Sequence, residues 1–482
     1  MRRGRIGLAV IGLAFAIAAC SGPTGTSTPG APDSATPAAT ATPAPTATAA
    51  PTATPSPSPS ASPSPAPLDA DDWPVYHLDA GRSGNSGRFA AATFPLSQAW
   101  TAKLDGAVYA EPLVIHSRLL VATENDSVYS LDPTTGGVLW RTNLGTPVPL
   151  RTLPCGDIDP LGITGTPAFD PLTGSVFAVA EVTGPKHVLF ALDPDTGAIR
   201  WSRDIDLAGD EPATHQQRPA LAVANGNVYV GLGGLAGDCG RYVGEVVGVP
   251  TSGSGQTIAY RVPVQREGAV WATGGPVLDA AGNLYVSVGN GDSTSKFDGS
   301  DSVVELSPSL ERLSYFAPSI WAADNAGDRD LGSVNPTLLP NGYVFIAGKS
   351  GIGYSLRQGA LGGIGGQVAQ APVCAGFGGT AFDGDAVYLP CSSGLARVTV
   401  GATGKIAVDW RSSSGAVASP VVGGGAVWSV DIGAGILFAL DPSTGKSLGS
   451  VKLGSVPHFV SPTLWRQLVF VGTTSGIVAI HG

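Results

Sequence analysis

Three aspartates crowd into "DNAGDRDLGS", at Asp324, Asp328 and Asp330. Hard carboxylate oxygens at this spacing suit Ca²⁺; the same residues also cap the backbone N–H groups of a tight turn. Four cysteines lie in the body of the chain, Cys155, Cys239, Cys374 and Cys391, an even number that argues for two disulfides in an exported protein. Cys374 and Cys391 flank "AGFGGTAFDGDAVYLP", which reads as two strands around an Asp-Gly turn. Antiparallel pairing brings those cysteines together and leaves Cys155 for Cys239. Their spacing is not that of a metal site, and no Cys-x-x-Cys-His offers covalent haem attachment. The six histidines are scattered without ligand spacing. "GITGT" at 162–166 lacks the lysine and helix signal of a phosphate loop, and no Gly-x-Ser-x-Gly elbow is present. No local motif gathers the reactive groups, so a site must be assembled from distant segments.

The elements that would assemble it repeat along the chain. "LFALDPDTGAIRW" (Leu189–Trp201) returns as "VYSLDPTTGGVLW" (Val128–Trp140) and "LFALDPSTGKSLG" (Leu437–Gly449). A β-prone run ends at Asp-Pro-x-Thr-Gly, where proline pre-sets a turn and glycine closes it with positive φ. A second strand follows, ending near a tryptophan. Proline before small and apolar residues marks the start of each unit, at Pro112, Pro167, Pro219, Pro276, Pro336, Pro420 and Pro462. Thr380, in "GTAFD", fills the one gap. Eight starts, each with room for four short strands, predict an all-β, eight-bladed β-propeller over residues 68–482. The chain stops at "GIVAIHG", one strand short of a blade, and "LSQAWTAKL" (Leu96–Leu104) supplies that strand and closes the ring. The repeated tryptophans, Trp100, Trp140, Trp201 and Trp410, then read as inter-blade anchors.

Residues just before each innermost strand of a propeller line its central funnel. By that rule Glu111, Gln217, Arg218, Trp271, Asn335 and His458 are candidate ligand-binding residues, with Lys349 farther off. Arg218 and Glu111 either recognise a polar or anionic ligand or pair with groups of the protein itself.

The turn phrase, the opening "DDWPVYHLDAGRSGNS" (Asp71–Ser86), "GITGTPAFD", "QQRPALAV" and "GNGDSTSKFDGSDSVVELS" together resemble pyrroloquinoline-quinone (PQQ)-type propellers. That group includes quinoprotein dehydrogenases and outer-membrane assembly lipoproteins of the same eight-bladed fold. The resemblance covers nearly all of 71–482 and looks like a family of exported actinobacterial PQQ-like propeller proteins. It implies, for the dehydrogenases, a quinone seated on Ca²⁺ in the funnel, an aspartate base and two adjacent cysteines. This chain has no adjacent cysteine pair, and no residue-by-residue match places the base or the metal ligands.

The N-terminus gives the address. Arg2, Arg3 and Arg5 precede the apolar run Ile6–Ala19, too short to span a bilayer and read as a signal peptide over 1–19. Its end, Ile17-Ala18-Ala19-Cys20, resembles a bacterial lipobox and implies lipidation of Cys20. Residues 20–67 are almost wholly Pro, Ala, Thr and Ser. Nothing there can be buried, so the segment reads as a disordered, semi-stiff tether of up to about 140 Å, open to O-glycosylation. Net charge is −10, and −13 once three arginines leave with the signal. No basic patch is present for nucleic acid. The sequence therefore reads as a monomeric propeller, anchored to the outer face of the cell membrane through Cys20, that binds an envelope protein, peptide or glycan without catalysis. The alternatives are a PQQ- and Ca²⁺-dependent dehydrogenase with an atypical site, and an outer-membrane assembly lipoprotein. The long spacer departs from the short one of the latter group.

Overall fold

The computed structural model describes residues 67–482; the expected signal peptide, Cys20 and the tether up to residue 66 lie outside the described residues. Eight antiparallel sheets follow one another along the chain as the blades of a propeller. Blade 1 runs outward through Leu113–Ile115, Arg118–Thr123, Ser127–Leu131 and Val138–Asn143. Innermost strands of blades 2 to 8 begin at Ala168, Ala222, Val277, Thr337, Ala381, Val421 and Thr463, each within a few residues of a unit start marked in the sequence. Inner and middle strands are buried on both faces, whereas Val138–Asn143 alternates between exposed and half-buried positions. That gradient explains the pattern: continuous Val, Leu and Ala inside, alternation at the rim.

The ring closes as expected. Ser97–Lys103 pairs antiparallel with Gly476–His481, from Ser97 opposite His481 to Lys103 opposite Gly476. Neighbouring blades are joined by the repeat phrase. Trp100, Trp140 and Trp410 donate their indole N–H to the carbonyls of Pro133, Pro194 and Pro442 in the next blade's turn, at 3.1, 3.1 and 2.9 Å. In that turn the aspartate side chain accepts backbone N–H groups two and three residues on, as Asp193 does from Asp195 and Thr196. Both disulfides form as paired from the sequence: Cys155–Cys239 links the start of blade 2 to blade 3, and Cys374–Cys391 staples blades 5 and 6.

One segment departs from blade logic. Residues 73–86 thread along the axis, where the innermost strands expose unpaired edges. Val114, Phe169, Leu278, Phe382 and Val422, from five different blades, donate backbone N–H groups to the carbonyls of Trp73, Pro74, Ala80, Ser83 and Gly84. Arg82, fully buried, donates to the carbonyls of Tyr76 and Leu221, and His77 bridges the Thr380 carbonyl and Ser461 Oγ. This lead-in is an axial plug that satisfies groups no neighbouring strand reaches. A second departure lies in the aspartate-rich stretch, expected as a loop, which contains the helix Trp321–Ala326.

Candidate functional site

The plug occupies one part of the axis, and an open funnel remains on the face where each innermost strand begins. Its cavity is about 450 Å³. Of the residues singled out from the sequence, Arg218, Trp271, Lys349, His458, Asp328 and Asp330 all line it. Blade entry segments deliver Arg218, Trp271 and His458, while Lys349 comes from the turn between the second and third strands of blade 5.

Two linked clusters face each other across the cavity. In the first, Arg218 donates to Gln216 Oε1 at 2.9 Å, lies 3.9 Å from Asp157 Oδ1 and reaches His458 Nε2 at 3.4 Å. Its guanidinium stands 5.5 Å from the centre of the Phe459 ring. Burial pulls the Arg218 pKa below its ordinary value despite Asp157. Burial, then Arg218, depress His458 too, which favours the neutral ring whose Nε2 faces the Arg218 donor.

In the second cluster Lys349 Nζ sits 2.5 Å from Asp330 Oδ2 and 2.8 Å from Asp328 Oδ1. Burial opposes the ammonium, but Asp330 and Asp328 outweigh it and hold Lys349 above its usual pKa. Asp330 also accepts the Asn290 backbone N–H at 2.7 Å. With its NH₂ turned inward, the Asn290 side chain donates to both Asp330 oxygens, at 2.5 and 2.9 Å. The Lys349 ammonium lies 5.6 Å from the Trp271 ring centre, and Phe459 meets that indole edge-on at 6.0 Å. Half-buried aromatic faces beside paired charges suit a ligand with one flat surface and a polar rim.

The remaining candidates sit elsewhere. Glu111 is only 2% exposed and is taken up in binding the plug. Trp73 Nε1 donates to its Oε1 at 3.1 Å, and the His77 backbone N–H to its Oε2 at 2.7 Å. Gln217 is buried, its backbone N–H given to Glu181 and its amide to the Pro219 carbonyl. Asn335 is buried against Gly274. The three aspartates weighed as Ca²⁺ ligands or as turn caps are not drawn round one point: Asp328 and Asp330 share Lys349, while Asp324 pairs with Arg329 at 3.3 Å. A lysine and an arginine already supply the positive charge that a cation would bring.

Sequence reasoning missed Asp157, Asp238, Tyr242, Asn290, Phe377 and Phe459, which also line the funnel. Asp238 and Asn290 lie in connections between second and third strands, which open on the same face as the blade entries. The long non-repeating stretches after "NVYVGLGG" and "NLYVSVGN" were the available signal.

With this geometry in place, the likenesses to known proteins are informative. Residues 97–308 match the family model described as outer membrane protein assembly factor BamB. The curated polyvinylalcohol dehydrogenase of Sphingopyxis sp. (strain 113P3) is 27% identical over 273 residues, 50% of this chain and 39% of that protein. The chain thus matches well under half the length of that relative. Among solved structures, the quinohemoprotein alcohol dehydrogenase of Comamonas testosteroni superposes with a TM-score of 0.65 at 16% identity, covering 85% of this chain and 80% of that one. BamB from Moraxella catarrhalis superposes with a TM-score of 0.57 at 16% identity, over 80% of this chain and 99% of its own. At such identity the superpositions show the fold.

Proposed function

We propose that this chain, an eight-bladed β-propeller of PQQ-like repeats, is an exported binding module whose funnel takes a flat, polar-rimmed ligand and does no chemistry on it. The observation that carries this reading is Trp271, a half-exposed indole in a concave wall with Lys349 on its ring and Phe459 at its edge. A ring held this way has given up part of its burial to keep a face available. The N-terminal reading adds the anchor, a lipid on Cys20 and a tether over 20–67 that holds a monomeric propeller off the outer face of the membrane. An envelope protein, peptide or glycan is the partner class. The likeness to BamB, named as an assembly factor, supports a partner-binding role.

A second reading, a PQQ-dependent dehydrogenase, is favoured by the same indole and by relatives named as dehydrogenases. The funnel fits the ring of such a cofactor: Trp271 offers a face, and Lys349 and Arg218 offer positive charge. It does not fit the accompanying Ca²⁺, because Asp330 is saturated by Lys349 and Asn290 and Asp324 is held by Arg329. No redox step is therefore assigned.

Titration of the purified full chain with PQQ, with and without Ca²⁺, tests both readings. Tryptophan fluorescence and quinone absorbance report binding, and dye reduction with an alcohol reports turnover. The binding reading expects no Ca²⁺-dependent turnover, together with enrichment of a protein or peptide partner from cell envelopes that Trp271→Ala abolishes. Stoichiometric PQQ uptake with dye reduction replaces it by the dehydrogenase reading.

A further inference from the structure

Blade 4 carries two additions that a propeller does not require. Between its second and third strands, Leu284–Val288 and Ser302–Leu306, the chain passes through 289–301. The equivalent turns occupy only 392–393 in blade 6 and 474–475 in blade 8. Beyond the fourth strand, Arg312–Ala317, comes the helix Trp321–Ala326. Asn325 of that helix pins the long loop. Its Oδ1 accepts the Gly291 N–H at 2.9 Å, and its Nδ2 donates to the Ser293 carbonyl at 2.6 Å and to Ser300 Oγ at 2.9 Å. The loop is held in one shape by a buried side chain, which is how a recognition loop is pre-organised.

Between the loop and the fourth strand lies an open cleft of about 550 Å³ that shares no lining residue with the funnel. Phe297 stacks on Tyr315 there, with ring centres 5.6 Å apart and planes 16° from parallel. Trp321 meets Phe297 edge-on at 5.4 Å, and the Arg312 guanidinium lies 5.1 Å from the Tyr315 ring centre. All three rings are half-buried. Phe297 stands in "GNGDSTSKFDGSD", where it is the one large apolar side chain. It adds nothing to the blade core and builds an aromatic wall on an otherwise polar loop.

Charge decides what such a wall would hold. Two acids, Asp292 and Asp298, and two bases, Lys296 and Arg312, line the cleft, with Gln265 beside them. The sum is zero, so the cleft attracts neither an anion nor a cation. Stacked aromatic faces suit the C–H face of a pyranose, and carboxylate, amide and guanidinium groups suit its paired hydroxyls. We infer that the cleft on blade 4 is a subsite for a neutral glycan, with Phe297 and Tyr315 as the stacking platform and Gln265, Asp292 and Arg312 as hydrogen-bonding groups. This goes beyond the funnel reading and stands whichever funnel ligand proves right.

The full chain is titrated calorimetrically with cellohexaose, mannohexaose and hexa-N-acetylchitohexaose, and with polygalacturonate as the anionic comparison. At least one neutral oligosaccharide binds with a Kd of about 1 mM or tighter. Phe297→Ala weakens it by about tenfold. Gln265 is exposed and makes no hydrogen bond among the described residues, so Gln265→Ala tests the site without risk to the fold and lowers affinity several-fold. The inference is overturned if none of the neutral oligosaccharides binds, if polygalacturonate binds more tightly, or if both cleft variants bind like the parent chain.

Discussion

Trp140 donates its indole N–H to the carbonyl of Pro194, 3.1 Å away across the seam between blades 1 and 2. The same turn brings Gly197 against the ring, with φ at +72° and so little room that a Cβ there would lie 2.5 Å from the indole. Trp100 with Gly136 and Trp410 with Gly445 repeat the joint. The tryptophan of one blade and the Asp-Pro-x-Thr-Gly of the next are two halves of a single contact. The phrase therefore recurs because the ring needs seams, and it is silent about cofactors.

Trp140→Ala should cost about 3–5 kcal/mol of stability, as the loss of a large packed aromatic usually does. Gly197→Ala should cost more than 1 kcal/mol from positive φ alone, with the clash added. Denaturant unfolding measures both, and a midpoint unchanged in either variant would remove the seam from the account.

Glu111 holds the plug through Trp73 Nε1 and the His77 backbone N–H. Glu111→Ala strips both buried donors of their acceptor, at about 1–3 kcal/mol each. Thermal melting should show a large drop for Glu111→Ala and a smaller one for Glu111→Gln, which keeps one acceptor. Ligand binding in the funnel should survive in whatever fraction stays folded.

Asp126 is fully buried, and among the described residues neither carboxylate oxygen has a hydrogen-bond partner. Burial first, then Glu124 and Glu181, push its pKa up to about 8. The folded state keeps this proton where the unfolded chain has lost it, so its contribution is fully present below the unfolded pKa of 3.8 and is lost as pH rises toward about 8. Asp126→Asn, which cannot ionise, should match the parent near pH 4 and exceed it by about 5 kcal/mol at pH 8. Parallel curves of stability against pH would contradict this.

The two disulfides should differ in weight. Cys155–Cys239 closes 84 residues and Cys374–Cys391 closes 17. Loop-closure entropy then gives about 4.5 and about 3 kcal/mol respectively. Replacing each pair by serine and comparing unfolding midpoints tests the order, and a larger loss from the short loop would reverse it.

Much of the fold was legible. Proline before small apolar residues marks an innermost strand because such a strand faces the crowded axis and begins where its N–H has no partner. The closing strand at 96–104 was legible because a blade at the C-terminus lacked its edge. The site was legible only in part. Arg218, Trp271 and His458 follow from their place before an innermost strand. Glu111 obeys the same rule and fails it, because Trp73 and His77 had already claimed its carboxylate. Asn290, Asp238 and Phe459 carry no repeat signature, and only the length of the non-repeating stretches around Asp238 and Asn290 pointed toward them.

Turn chemistry, strand period and cysteine spacing act over a few residues, and the amino-acid order alone therefore determined blade number, seam chemistry, ring closure and disulfide pairing. The axis is different. Residues far apart in sequence converge there only after the ring has closed, as Lys349 does on Trp271 and His77 on Ser461. Which carboxylate ends dry and bonded and which faces the open funnel depends on where the lead-in threads among eight converging strands. Tertiary structure alone decided that, because burial is a property of the closed ring and of no single blade.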